Sequence, residues 1–484
     1  MAESRRTVHS DRARRFVADE ARTRWHDEAL WFVRSKRDAA ADQVPDWEAL
    51  RTEAGGIKRA VLSRLPELWR QFEEEATQAG AVVHWARDAA EHNQTVASLL
   101  EERGVRRVVK SKSMLTEECG LNADLERRNI EVVDTDLGER IVQLRNEPPS
   151  HIVMPAIHLQ REQVGALFEQ EFDCPPGITD PDTLVALARK DLRARFLGAQ
   201  AGITGVNFAV AETGTCVVVT NEGNADLGTA LPELHIACVG LEKIIPETRD
   251  LAPFLRLLAR SATGQPISAY TSHFRGPRAD WGPRGSELHI IVVDNGRSRL
   301  LAEPAFREAL ACIRCGACLN TCPVYRRSGG HSYGATIPGP IGSVVEPNRS
   351  PSRHSDLPHA CSLCGSCSDV CPVRVPLHHQ LLTLRSHLSE AGHSPRGRRW
   401  ALATTAGILR HPRLFRSVSR WGRQLARVMP ERWLERWALP WTRERALPPI
   451  PAQSFRELYS TRARREGGLS KSDRARREDG PQAP

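Results

Sequence analysis

The sequence predicts an α/β domain with a mostly parallel sheet, then a small helical domain organised by metal-binding cysteines, then a helical, basic extension. Two observations carry this reading. Beyond residue 80, short β-branched runs alternate with amphipathic segments, and several runs are apolar without alternation, as strands covered on both faces require. Further on, eight of the twelve cysteines fall in two runs of identical spacing: Cys312, Cys315, Cys318 and Cys322 before Pro323, and Cys361, Cys364, Cys367 and Cys371 before Pro372.

A chain of 484 residues with 40% hydrophobic content can build more than one core. The formal charge of +9 is concentrated beyond Ser394, where arginine is frequent. These arginines are interleaved with acids and no nucleic-acid module is recognisable, so no specific nucleic-acid partner is expected. Residues 1–17 are charged throughout, and no apolar run reaches the roughly 18 residues a spanning helix needs, so no transmembrane segment is expected. The expected location is the cytoplasm, with peripheral attachment at the inner face of the membrane left open. In that reducing compartment closely spaced cysteines are metal ligands before they are disulfides.

Taken in order, residues 10–90 show apolar positions at steps of three and four (Trp31, Phe32, Val61, Leu65, Leu68, Trp69, Phe72), which predicts helices capping the next domain. Strands are expected at 81–85, 105–109, 130–133, 151–154, 206–210, 215–220, 234–239 and 287–293, with a helix over 88–103. Ligands of such sheets bind beyond strand C-termini, which directs attention to Lys110 to Ser113, Glu212 to Gly214 and Asn221 to Asn224. None of these matches a Walker A or Rossmann fingerprint, and tight turns between strand and helix are the favoured reading of them. Cys119, Cys174, Cys216 and Cys238 stand alone and read as small buried hydrophobes. Histidines 151, 158, 235 and 289 have no metal-site spacing. Short helices are expected at 303–311, 366–370 and 377–389. Beyond Ser394, Trp400, Trp421, Trp433, Trp437 and Trp441 dot helical stretches that would pack on their own domain or dock a partner, and the chain from Arg462 reads as disordered.

The cysteine runs follow the C-x2-C-x2-C-x3-C-P pattern of proteins with two 4Fe-4S clusters, whereas zinc sites favour paired C-x2-C units. Three sulfurs from one turn cap three iron corners, and in two-cluster ferredoxins the last cysteine of each run serves the other cluster. One cluster would then use Cys312, Cys315, Cys318 and Cys371, and the other Cys361, Cys364, Cys367 and Cys322. The long Gly- and Pro-rich stretch between the runs suits an α-helical ferredoxin arrangement.

The stretches Lys110 to Glu118, Asp134 to Ile141, Pro149 to His158, Asn221 to Asn224 and Gly276 to Gly285, together with both cysteine runs, resemble the lactate utilization protein B family in order and over nearly the whole chain. The resemblance implies a lactate-utilisation domain similar in fold to glucosamine-6-phosphate isomerases and coenzyme A transferases, then an α-helical ferredoxin domain with two 4Fe-4S clusters. It also implies companion subunits in L-lactate oxidation to pyruvate, and no catalytic residue is assigned. The expected division is 1–75 helical, 76–298 lactate-utilisation domain, 299–393 ferredoxin domain, 394–460 basic helical extension and 461–484 disordered tail. The expected function is an electron-transfer subunit, not catalytic on its own, with a quinone-linked acceptor as one destination. The alternative is an α/β enzyme acting on a phosphorylated or coenzyme A-linked substrate through Lys110, Lys112, Glu212 and Glu222, with accessory clusters.

Overall fold

Runs such as Leu234 to Gly240 and Glu287 to Val293 can be apolar at successive positions because consecutive side chains of a strand point to opposite faces and both faces here are covered. Ile290 and Val292 enter one core, with Leu68, Trp69 and Phe72 of the N-terminal helices, while Ile291 and Val293 enter a second, with Val96, Leu100 and Leu121. The computed structural model describes residues 8–278, 285–393, 396–430, 433–434 and 449–467.

The strands are β1 (Val82–Ala86), β2 (Arg107–Lys110), β3 (Glu131–Asp134), β4 (Ala201–Gly205), β5 (Phe208–Val210), β6 (Thr215–Thr220), β7 (Leu234–Gly240), β8 (Ile244–Ile245), β9 (Tyr270–Phe274) and β10 (Glu287–Val293). Six form a wholly parallel sheet in the order β1-β10-β7-β4-β2-β3. A smaller sheet, β8-β5-β6-β9, pairs β5 with β6 and β6 with β9 antiparallel.

Several expectations change, and the helix expected at 303–311 is only a 3-10 turn at Arg307–Ala311. No strand forms at 151–154, although His151-Ile152-Val153-Met154 is apolar and β-branched. His151 is buried, and its Nδ1 accepts hydrogen bonds from the backbone N–H of Val153 and of Met154, both at 3.0 Å. This side-chain acceptor curls the segment and occupies the amides a ladder would need. Glu212 to Gly214 does not follow a strand of the six-stranded parallel sheet either, because it is the turn of the β5–β6 hairpin in the smaller sheet.

The N-terminal helices (His9–Val17, Glu20–Asp42, Trp47–Ser63, Leu65–Gln78) do more than cap the sheet. Arg37 donates to the Val370 carbonyl at 3.2 Å and Arg51 to the Cys371 carbonyl at 2.9 Å, so two buried guanidiniums brace the second cysteine run. Lys58, also buried, donates to the carbonyls of Glu242 and Ile244 beyond β7. One hydrophobic core runs from Ile290 and Val292 through these helices to Cys315, Cys318 and Cys371.

Residues 1–393 form one compact unit and 394–484 another. The second contains helices Arg396–Arg410, Pro412–Val428 and Phe455–Gly467. Trp437, Trp441 and the part of the expected disordered tail beyond 467 lie outside the described residues.

Candidate iron–sulfur site and the adjoining cleft

Both cysteine runs fold into the same loop. Cys312 and Cys361 each end a short 3-10 turn (Arg307–Ala311, Leu357–Ala360). Arg314 and Leu363 then take φ of 62° and 57°, and Gly316 and Gly365 take 78° and 83°. Two left-handed residues in three curl the backbone so that amides face the sulfurs. Arg314 N–H donates to Cys312 Sγ at 3.4 Å and Leu363 N–H to Cys361 Sγ at 3.2 Å. Past the short helices Ala317–Thr321 and Ser366–Asp369, Cys322 Sγ accepts from Tyr325 N–H at 3.5 Å and Cys371 Sγ from Val375 N–H at 3.3 Å. Amide donors aimed at sulfur favour the ionised ligand and tune a bound metal. The glycines were legible in the sequence, but the strained Arg314 and Leu363 were not, since neither residue type prefers positive φ.

Residues of the two runs interleave in space. One cavity is walled by Cys312, Cys315, Cys318 and Cys371, with Ile313, Ile341 and Val375 closing it against water. The electrostatic neighbours of Cys322 are Cys361 and Cys364, and those of Cys367 are Cys322, Cys361 and Cys364. Cys318 also feels Cys367, which sets the two groups side by side. Burial pushes the Cys371 thiol up to about 11 and the Cys367 thiol up to about 12. Such thiols ionise only against a compensating cation, which four converging sulfurs are suited to hold. The donor set therefore fits a 4Fe-4S group. The groups differ in exposure: in the first, Cys315, Cys318 and Cys371 are buried and Cys312 half-buried, whereas in the second only Cys367 is buried, Cys322 and Cys361 are half-buried and Cys364 is exposed.

Against the first group lies a second cavity, a cleft of about 300 Å³ at the C-terminal ends of β2, β4 and β7. Ile152 and Cys315 line both cavities and so form their common wall. At this wall is a buried charge network. Arg297 pairs with Glu118 at 3.0 Å and with Glu242, and Arg314 approaches Glu118 at 3.6 Å and Glu242 at 3.8 Å. Burial opposes ionisation of Glu242, but Arg297, Lys243 and Arg314 hold its carboxyl down at about 2.

Of the four residues tied to an α/β activity, Lys112 and Glu222 line this cleft. Lys110 does not: fully buried, it pairs with Asp134 at 2.7 Å and Glu117 at 2.9 Å and pins β2 to its neighbours. Glu212 is exposed in its hairpin and caps Thr248 N–H at 2.9 Å. Sequence reasoning missed Lys243, Arg297 and Arg314 as cleft residues. Arg297 and Arg314 sit in segments read as a strand exit and a metal loop, and only folding brings them together. Cys119, Cys216 and Cys238 are buried, as expected of small hydrophobes, and Cys174 is half-buried. Glu147, His158 and His331 converge within 4.8 Å, yet hydrogen bonds already engage them: His158 bridges Ser150 and Glu147, each at 2.8 Å, and His331 Nε2 donates to the Pro148 carbonyl at 2.7 Å.

Together the parallel α/β fold and the twin cysteine loops define an iron–sulfur protein in which a redox module is built onto an α/β domain. The LUD domain family matches residues 69–293 and the 4Fe-4S dicluster domain family residues 308–375. A lactate utilization protein B of Shouchella clausii (strain KSM-K16) is 40% identical over 444 residues, covering 89% of this chain and 92% of the relative. That of Bacillus subtilis (strain 168) is 39% identical over 393 residues, covering 80% and 82%. An uncharacterized electron transport protein of Escherichia coli (strain K12), YkgF, is 41% identical over 386 residues, covering 79% and 81%. The chain belongs to the lactate utilization protein B family.

Proposed function

We propose that the chain is the electron-transfer subunit of an assembly that oxidises L-lactate to pyruvate, carrying electrons through two 4Fe-4S clusters to an acceptor such as a membrane quinone. The observation that carries the reading is the shared cavity: Cys371 of the second run closes the group begun by Cys312, Cys315 and Cys318 of the first. Cys322 correspondingly completes the group of Cys361, Cys364 and Cys367. When bound, such clusters accept and release single electrons. The protein's part is to hold eight sulfurs in two adjoining groups, aim amides at them, and exclude water from the first. The exposed Cys364 makes the second group the place where a companion protein exchanges electrons.

The lactate link rests on the names of the relatives, and companion subunits on the lack of any flavin or nicotinamide fingerprint in this sequence. Anaerobically purified chain with L-lactate alone is expected to keep its visible iron–sulfur absorption, and to bleach once the companion proteins are added. Lactate oxidation by the isolated chain with an artificial acceptor would contradict the subunit reading. An enzyme acting on phosphorylated or coenzyme A-linked substrates is disfavoured by the burial of Lys110 and the distant placement of Glu212.

Among the described residues no helix is long and apolar enough to cross a membrane. The helix Pro412–Val428 instead exposes Leu414, Val418, Trp421, Leu425 and Val428, spaced along one face, and carries five arginines and no acid. This pattern suits an anionic bilayer surface, which would bring the chain to a quinone acceptor. The full chain is expected to sediment with phosphatidylglycerol vesicles and not with phosphatidylcholine ones, and Trp421→Ser to weaken this roughly thirtyfold, from the ~2 kcal/mol of a buried large side chain. Binding unaffected by lipid charge and by Trp421→Ser would exclude this surface.

A further inference from the structure

The cleft at the sheet ends is more than a gap between strand and helix. It is open at the strand C-termini, where α/β sheets bind ligands, and its floor is Ile152 and Cys315, the wall of the first cysteine cavity. Two buried polar atoms on its lining lack any hydrogen-bond partner among the described residues: Arg314 Nη1 and Thr220 Oγ1. Buried donors are rarely left unmade in a folded protein, and a group that enters the cleft can supply the missing partner, on the side of Arg314 that does not face Glu118, Glu242 or Cys312. The guanidinium of Arg314 is anchored on its other side, Nη2 facing Glu118 and Glu242. Lys243 lines the same end.

The ligand's class follows from the lining. Arg314 and Lys243 call for an anionic oxygen group. Asp136 and Glu222 also line the cleft, beside Lys112, and their carboxylates can accept from a hydroxyl. About 300 Å³ is the small end of ligand pockets and admits neither a dinucleotide nor coenzyme A. Leu258 and Ala262 of the helix Leu251–Thr263 supply an apolar side.

We propose that this cleft binds a small organic acid anion, its carboxylate on Arg314 and Lys243, and that the centre held by Cys312, Cys315, Cys318 and Cys371 senses its occupancy through their shared wall. This rests on the electron-transfer reading for the centre, but not for the binding. Calorimetry on the anaerobic, iron-loaded full chain with L-lactate, pyruvate and inorganic phosphate tests it, alongside the electron paramagnetic resonance of the reduced sample. One of the two acids is expected to bind saturably and to alter the signal of a single centre. Lys243→Gln and Thr220→Val, both outside the cysteine loops, are expected to leave the iron count unchanged, and Lys243→Gln to weaken binding at least about tenfold, as loss of a charge-assisted hydrogen bond implies. Absence of saturable heat with both acids, phosphate binding as tight as either acid, binding untouched by both variants, or a signal indifferent to the bound acid would each overturn it. The iron count of the same sample reports separately on the electron-transfer reading.

Discussion

Replacing Cys371 with serine is expected to remove the cluster of the first run while sparing that of the second, and replacing Cys322 to do the reverse. Each variant should fall from about eight to about four irons per chain, because each crossed cysteine supplies one corner of the distant cube. The structure motivates this directly: Cys371 walls the cavity of Cys312, Cys315 and Cys318, whereas Cys322 has Cys361 and Cys364 as its electrostatic neighbours. The variants should also differ in air. Loss of the exposed second group by Cys322→Ser leaves the enclosed first group protected, while Cys371→Ser leaves only the group that carries the exposed Cys364. If each run instead supplied all four of its own ligands, Cys322→Ser would strip the first group. Iron and sulfide analysis of the two proteins separates these patterns.

The second large effect concerns Lys110. Lys110→Met is expected to cost on the order of 3–5 kcal/mol of stability, read as a lower urea midpoint, because it leaves Asp134 and Glu117 facing no buried counter-charge. Desolvation pulls the Lys110 ammonium down, but Asp134, Glu117 and Glu139 together hold it well above its usual value. Burial pushes the neighbouring Glu139 carboxyl up to about 8, with Lys110 working against that rise. The folded chain thus keeps a proton on Glu139 that the unfolded chain releases from its usual value of 4.5 upward. Stability from this group is therefore retained at low pH and lost as pH rises toward 8. Without Lys110 the loss deepens, so the deficit of the variant should widen between mildly acidic and alkaline pH. A variant as stable as the parent at every pH would return Lys110 to the role of a ligand-binding residue.

Much of this architecture was legible. The strands β6 and β10 follow the apolar runs 215–220 and 287–293 residue for residue, because fully covered strands leave an unmistakable pattern. Strand β4 was missed, since Ala201-Gly202-Ile203-Thr204-Gly205 is poor in bulk and framed by glycine, as a turn would be. The segment 151–154 misled for the opposite reason: its β-branched residues suit a strand, but the His151 ring captures the amides.

The cysteine motif made the site legible at the level of residue type, while its surroundings were not. The placement of Arg51 and Lys58 did leave a trace: Trp47, Arg51, Ala54, Lys58 and Val61 fall on one buried stripe of a helix, and charges on such a stripe ask for fixed acceptors. The cleft left none. Its walls come from the segment after β2, from β4, β6 and β7, the segment 151–154, the helix Leu251–Thr263 and the first cysteine loop, and no local pattern records a convergence of that kind.

Two adjoining clusters with crossed ligands are tested most directly by an anaerobic metal, sulfide and spin count on the wild-type chain. The expected result is about eight irons with equal sulfide and, after reduction, two half-integer spins broadened by mutual coupling because the cysteine groups adjoin. Zinc in place of iron, four irons only, or two spins without coupling would contradict it.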